Sequence, residues 1–326
     1  MLAARESDDM ADEPSDDVQA VLDYLAELDR PETHELTPER AREATRALRG
    51  DEPVAAVGAV TEQVVLGPAR GIPIRIYEPA SDGPHPVVVF FHGGGFVVGD
   101  PGTHDASCRL LTNAADVAVV SVDYRLAPEH PFPAAVEDAY AATEWVAAHG
   151  DDLGADLDTD RLAVAGDSAG GNLAAVVALA ARERDGPDIA QQTLVYPVTD
   201  FREGEAYASY DENGEGYFLS AADMTYFRDH YLDSWVHPSD PYCSPLAASS
   251  HADLPPATVV TCGFDPLRDE GVAYADALDA AGTPVTHRHY DDLIHGVINM
   301  VAPPLDVAGG REVIDDVAAD LDASLR

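Results

Sequence analysis

At 326 residues, with 46% apolar residues and with 25 glycines and 24 prolines dispersed along it, the chain suits one α/β domain carrying an appendage and excludes a disordered or collagen-like class. Sixty Asp and Glu against 19 Lys and Arg give a formal net charge of -41, and every Lys/Arg position is an arginine. A nucleic-acid partner needs a basic face, which this balance excludes, and the carboxylates run from Glu6 to Asp322 without forming a tail.

Residues 1–16 are polar and acidic and read as a disordered leader, with Met10 as an alternative start. They lack the apolar stretch of a signal peptide, and no run of eighteen apolar residues occurs anywhere, so the expectation is a soluble, cytoplasmic protein without a membrane partner. Val18, Val21, Leu22, Leu25 and Leu28 fall at helical spacing, and Thr37-Pro38 opens a second helix running to Gly50. These helices fill residues 17–54, which read as an N-terminal cap. Cys108, Cys243 and Cys262 show no metal-type spacing, and no metal or organic cofactor is expected.

From residue 60 onward, strand signals alternate with Ala-rich helical stretches. The strands are expected at 60–66, 72–77, 86–91, 117–122, 162–165, 192–196, 257–262 and 285–290, and the helices near 104–115, 133–149, 169–184, 269–281 and 307–325. Continuous apolar runs such as VVVFF suit a sheet covered on both faces, so the fold class is an α/β, mostly parallel eight-stranded sheet with helices on both sides. The segment 200–250 breaks the rhythm with aromatics and acids, among them Phe201, Phe218, Phe227 and Trp235. It reads as an insertion over the site, dividing a catalytic core of residues 55–199 and 251–326.

Gly166-Asp167-Ser168-Ala169-Gly170 lies between a strand signal and an Ala-rich helix, the context of a nucleophile elbow. Glycines on either side let the turn close so that the serine oxygen projects free, and the helix N-terminus favours developing negative charge. His92-Gly93-Gly94-Gly95-Phe96 follows the third strand, where bare N–H groups can receive an oxyanion. In such a fold the acid and base follow the serine in that order, at later strand ends. Asp265 and His295 meet this condition. Asp291 or Asp292 as acid and His287 or His289 as base are the alternatives, although the two histidines alternate within one strand and belong on one sheet face.

HGGGF, the stretch DYRLAPEHPFPA at 123–134, GDSAGG, DPLRDEG at 265–271 and the IHG around His295 resemble the GDSAG branch of the hormone-sensitive-lipase family of esterases. The resemblance covers about residue 55 to the end. It implies the α/β-hydrolase fold with a helical cap, Ser168, Asp265 and His295 as triad, and the N–H groups of Gly94, Gly95 and Ala169 as oxyanion hole. It assigns His92 a shaping role in the glycine loop. The implied activity is hydrolysis of short-chain carboxylic monoesters through an acyl-serine, with a small-molecule ester as partner and a homodimer as the candidate assembly. Amidase, arylformamidase or lactonase action on the same triad is the alternative chemistry, and a receptor lacking catalysis the alternative class. The distributed acidity resembles that of proteins from salt-accumulating halophiles, in which dissolved salt screens self-repulsion.

Overall fold

The computed structural model of the chain describes residues 11–28, 30–48, 53–202 and 207–326. Residues 1–10 of the expected leader and Gly50 at the expected helix end lie outside the described residues. The elements in chain order are α1 (Asp16–Glu27), α2 (Pro38–Ala47), β1 (Ala59–Leu66), β2 (Gly71–Glu78), β3 (His85–Phe91), α3 (Asp105–Ala115), β4 (Ala118–Val122) and α4 (Ala134–His149). They continue with β5 (Leu157–Asp167), α5 (Ala169–Glu183), β6 (Gln191–Val195), α6 (Ala208–Glu212), α7 (Ala221–Tyr231), β7 (Ala257–Phe264), α8 (Arg268–Ala280), β8 (Val285–Ile294) and α9 (Ala308–Leu325).

The eight strands form one sheet in the order β1-β2-β4-β3-β5-β6-β7-β8. β1 pairs antiparallel with β2 and β2 antiparallel with β4, while the other neighbours are parallel. The apolar runs explain the central strands. Side chains alternate across a strand, so Val87, Val89 and Phe91 enter one core cluster and Val88 and Phe90 the other, all 3% exposed or less. The first cluster packs against α4, α5 and α8 and the second against α3 and α9, which places helices on both faces. Among the described residues no helix is long and apolar enough to cross a membrane.

Three strands that feed the candidate site outrun their expected ends. β5 continues to Asp167, β7 to Phe264 and β8 to Ile294, so each delivers a candidate site residue, Ser168, Asp265 or His295, immediately after its last ladder position. β8 keeps pairing with β7 past Tyr290 because the register shifts between Cys262 and Phe264, where Gly263 lets the backbone of Asp291 approach. Asp291 and Asp292 therefore belong to the strand rather than to a loop.

Helix α1 forms with Val18 and Val21 buried, and both join the cluster containing Val313, Val317 and Leu321 of α9. α2 has its N-terminus capped by the Thr37 hydroxyl, with Pro38 in the first turn, and it lies over the glycine loop: Arg42 Nε donates to the Val97 carbonyl at 2.8 Å. The 200–250 segment holds α6 and α7, and α7 opens on a reciprocal Ser220–Asp223 cap. Asp223 also receives the His34 N–H at 3.0 Å, which joins α7 to the turn ahead of α2.

Candidate active site

Ser168 occupies the turn between β5 and α5 with φ 56° and ψ -118°, a backbone conformation costly for a residue with a Cβ. The turn is this tight because Gly166 and Gly170 have no side chain: a Cβ on Gly170 would lie 1.9 Å from the Phe91 carbonyl oxygen, and one on Gly166 2.3 Å from that of Gly170. The Ser168 N–H donates to the Val195 carbonyl at 2.9 Å, which ties the elbow to β6.

His295 is 6% exposed and Asp265 fully buried. His295 Nε2 lies 2.9 Å from Ser168 Oγ, and Nδ1 lies 2.8 Å from Asp265 Oδ2. The second oxygen, Asp265 Oδ1, accepts the Leu267 N–H at 2.8 Å, so both carboxylate oxygens are occupied. The unexposed carboxylate lets the ring present Nε2 toward the hydroxyl, the tautomer a serine nucleophile requires. His287 and His289 lie instead on one side of β8, both against the Thr261 hydroxyl at 2.8 and 2.9 Å.

The glycine loop faces this pair. Gly94 and Gly95 have φ of 119° and 57°, and a Cβ on Gly94 would strike the Val98 carbonyl at 2.3 Å. Among the described residues the N–H groups of Gly94, Gly95 and Ala169 have no protein acceptor. Ala169 opens α5, where the first-turn N–H groups are left free by helix geometry. His92 stacks on Tyr124 with ring centroids 4.2 Å apart, and Nδ1 lies 2.8 Å from the Gly93 carbonyl. Burial, aided by neighbouring His104, pushes His92 down to about 4, so it is a neutral packing element in the loop.

A cavity of about 660 Å³ opens above these residues, within the range of small-molecule sites. Phe201, Phe218, Leu219, Met224 and Phe227 line it, as do Arg75, Asp200 and Arg202. The walls therefore mix aromatic and aliphatic side chains with charged ones. The aromatics divide: Tyr231 is buried and stacks on Phe96 at 3.8 Å, whereas Trp235 is 90% exposed.

Residues 88–299 match the family described as alpha/beta hydrolase fold. The carboxylic ester hydrolase LipN of Mycobacterium tuberculosis is 48% identical over 268 residues, which are 80% of this chain and 70% of that protein. The chain belongs to the alpha/beta hydrolase family, in its hormone-sensitive-lipase-type esterase group. Ethyl acetate hydrolase of Pseudomonas putida is 38% identical over 235 residues, 70% of this chain and 72% of that protein. The crystal structure of a thermostable esterase from Pseudomonas putida superposes with a TM-score of 0.91 at 38% identity, over 97% of this chain and 99% of that one.

Polar residues that were given no role from the sequence hold the loops around the candidate triad of this hydrolase. Asp167, 2% exposed, accepts the Gly93 N–H at 2.9 Å and the Asn299 amide at 3.1 Å, and pairs with His104 at 3.1 Å. Burial works to raise its carboxyl, but His104 and the Gly93 N–H outweigh it and hold Asp167 below its ordinary value. The residue before Ser168 thus ties the elbow to the glycine loop. Its place inside the elbow motif was the available signal. A second such residue is Asn213, whose amide donates to the Gly263 and Asp265 carbonyls at 3.1 and 3.2 Å. No spacing marks it.

Proposed function

We propose that this hydrolase cleaves short-chain carboxylic monoesters, with Ser168 as nucleophile, His295 as general base and acid, and Asp265 orienting the imidazole. A serine hydroxyl is a weak nucleophile near neutral pH. Attack by Oγ on the ester carbonyl carbon passes the hydroxyl proton to His295 Nε2. Asp265 accepts from Nδ1 and stabilises the imidazolium that forms. The carbonyl oxygen, now an oxyanion, lies against the N–H groups of Gly94, Gly95 and Ala169. Loss of one such donor typically costs about 3–4 kcal/mol of transition-state stabilisation. Collapse breaks the bond to the alkoxy group, which takes the proton from Nε2 and leaves as the alcohol. Water then attacks acyl-Ser168 by the same route, with its proton passing to His295 and returning to Ser168 Oγ as the carboxylic acid departs.

The observation that carries this reading is the continuous chain from Ser168 Oγ to His295 Nε2 at 2.9 Å and from Nδ1 to Asp265 Oδ2 at 2.8 Å, beside unpaired N–H groups. The presence of the base speaks against a receptor. In this reading residues 17–54 and the insertion at 200–250 form the helical cap, and the dispersed charge of -41 reflects a protein built for molar salt, where screening acts within ~3 Å. The test is labelling by a fluorophosphonate in high KCl, followed by a panel of p-nitrophenyl esters of increasing chain length and an anilide. Adduct mass on the Ser168 peptide with fastest turnover of short esters is expected. A folded chain that remains unlabelled, or cleaves the anilide faster, refutes the proposal.

A further inference from the structure

The loop that carries Asp265 is bound to the 200–250 insertion by hydrogen bonds in both directions. The Ser209 N–H donates to Asp269 at 2.9 Å, its hydroxyl donates to the Pro266 carbonyl at 2.6 Å, and it accepts the Asp269 N–H at 3.2 Å. Arg268 reaches Glu212 at 2.7 Å, and the Tyr210 hydroxyl donates to Glu270. At the end of α6, Asn213 turns its amide into the interior, 4% exposed, and spans the carbonyls of Gly263 and Asp265.

Those two carbonyls bracket the turn from β7 into the acid. Asp265 Oδ1 has a local tether, the Leu267 N–H, and Oδ2 faces His295. The tether sets the carboxylate's rotation relative to its own loop. The ladder that pairs Phe264 with Ile294 sets the root of the loop against the end of β8, from which His295 comes. Beyond that pair the Asn213 amide holds the loop from the insertion side. Both N–H groups of one planar amide are used, so a shift of the loop would lengthen two bonds at once. Arg268 shares both acceptors, its guanidinium reaching the Gly263 carbonyl at 3.2 Å and its N–H the Asp265 carbonyl at 3.1 Å, and the Asn213 amide adds the hold that comes from the insertion.

We infer that Asn213 is a positioning residue for the triad acid, so that packing of the insertion completes the catalytic geometry as well as covering it. The inference rests on the triad reading above. A carboxylate displaced by a fraction of an ångström orients the imidazole poorly, and misplacement of about 1 Å can lower turnover about a hundredfold. The effect falls on the chemical step, because Asn213 does not line the cavity.

The experiment uses the full chain in high KCl, with Asn213→Ala and Asn213→Asp, the second keeping the shape while replacing the donor by oxygen. The readouts are kcat and KM for p-nitrophenyl acetate and the low-field proton resonance of the His295–Asp265 hydrogen bond. The expected result is a fall in kcat of about ten- to hundredfold with KM changed less than about threefold, and a weakened or lost resonance. Variants that melt earlier but keep the parent kcat and resonance overturn the inference, since that is the behaviour of a merely structural contact. Should both fail to fold, Ser209→Ala relaxes the same loop: a lower kcat with a weakened resonance supports the inference, and parental values overturn it. Failure of the esterase reading would appear separately, as a parent protein without hydrolysis or Ser168 labelling, and the resonance would still report what Asn213 holds.

Discussion

Replacing Glu270 with glutamine is expected to make this hydrolase more stable than its parent as pH rises. Glu270 lies in the first turn of α8 with no exposure, its carboxylate accepting the Thr199 N–H at 2.6 Å and the Tyr210 hydroxyl. Burial pushes its carboxyl up to about 8, against the lowering pull of those two donors, and Asp200 adds to the upward push. The sign follows from the two states. An unfolded glutamate releases its proton near about 4.3, so between that pH and about 8 the folded chain holds one proton more than the unfolded chain. Stability from this group is fully present below the unfolded value and is lost as pH rises through the folded one, with a slope of about 1.4 kcal/mol per pH unit. Glutamine copies the protonated form, accepting from Thr199 and donating to the Tyr210 oxygen once that hydroxyl, which donates to the carboxylate, turns away, and it carries no such slope. Urea unfolding followed by circular dichroism at constant KCl, from about pH 5.5 to about pH 7.5, should show the variant gaining on the parent by about 2–3 kcal/mol. A difference between the two proteins that stays constant across that window would refute the assignment of a neutral Glu270.

Gly95→Ala should lower kcat for p-nitrophenyl acetate by about a hundredfold or more, as loss of one oxyanion donor does. A Cβ there would lie 2.2 Å from the Phe227 ring at a φ of 57°, so the loop must move; adding Phe227→Ala should restore part of the loss, and a single variant with parental kcat would contradict the role given to this N–H. Dilution from about 1 M KCl to about 0.1 M lengthens the screening distance from ~3 to ~10 Å, and the chain should then lose far-UV dichroism and activity together. Unchanged spectra at the lower salt would refute the salt-adapted reading of the charge.

What could be read in the sequence was whatever leaves a period or a motif. VVVFF announces a strand covered on both faces because every second residue serves a different core cluster, and β3 places its valines in that way. Ser168, Asp265 and His295 could be picked out because a parallel sheet delivers its strand ends to one edge, which turns spatial convergence into chain order. The ends of β5 and β8 were misread for a related reason: Asp291 and Asp292 look like loop residues, yet the ladder continues through them after the register shift at Gly263. The helical spacing of Val18 and Val21 was visible, but spacing cannot say that they join the same core cluster as α9.

Asp167 and Asn213 mark a sharper boundary. Each acts on main-chain groups, the N–H of Gly93 in one case and the carbonyls of Gly263 and Asp265 in the other. A main-chain partner is the same atom whatever residue bears it, so the contact imposes no pattern on the distant segment. In a chain with 60 acidic residues one buried aspartate is hidden among solvated ones, and an asparagine in a polar insertion has no distinguishing neighbours at all. Motifs therefore point to the atoms proposed to react, while the polar contacts that hold their loops in register are visible only once both segments stand side by side. In this hydrolase residues 93, 104, 167, 213 and 299 hold the loops around Ser168 and Asp265, and none of them is a proposed triad residue or oxyanion donor.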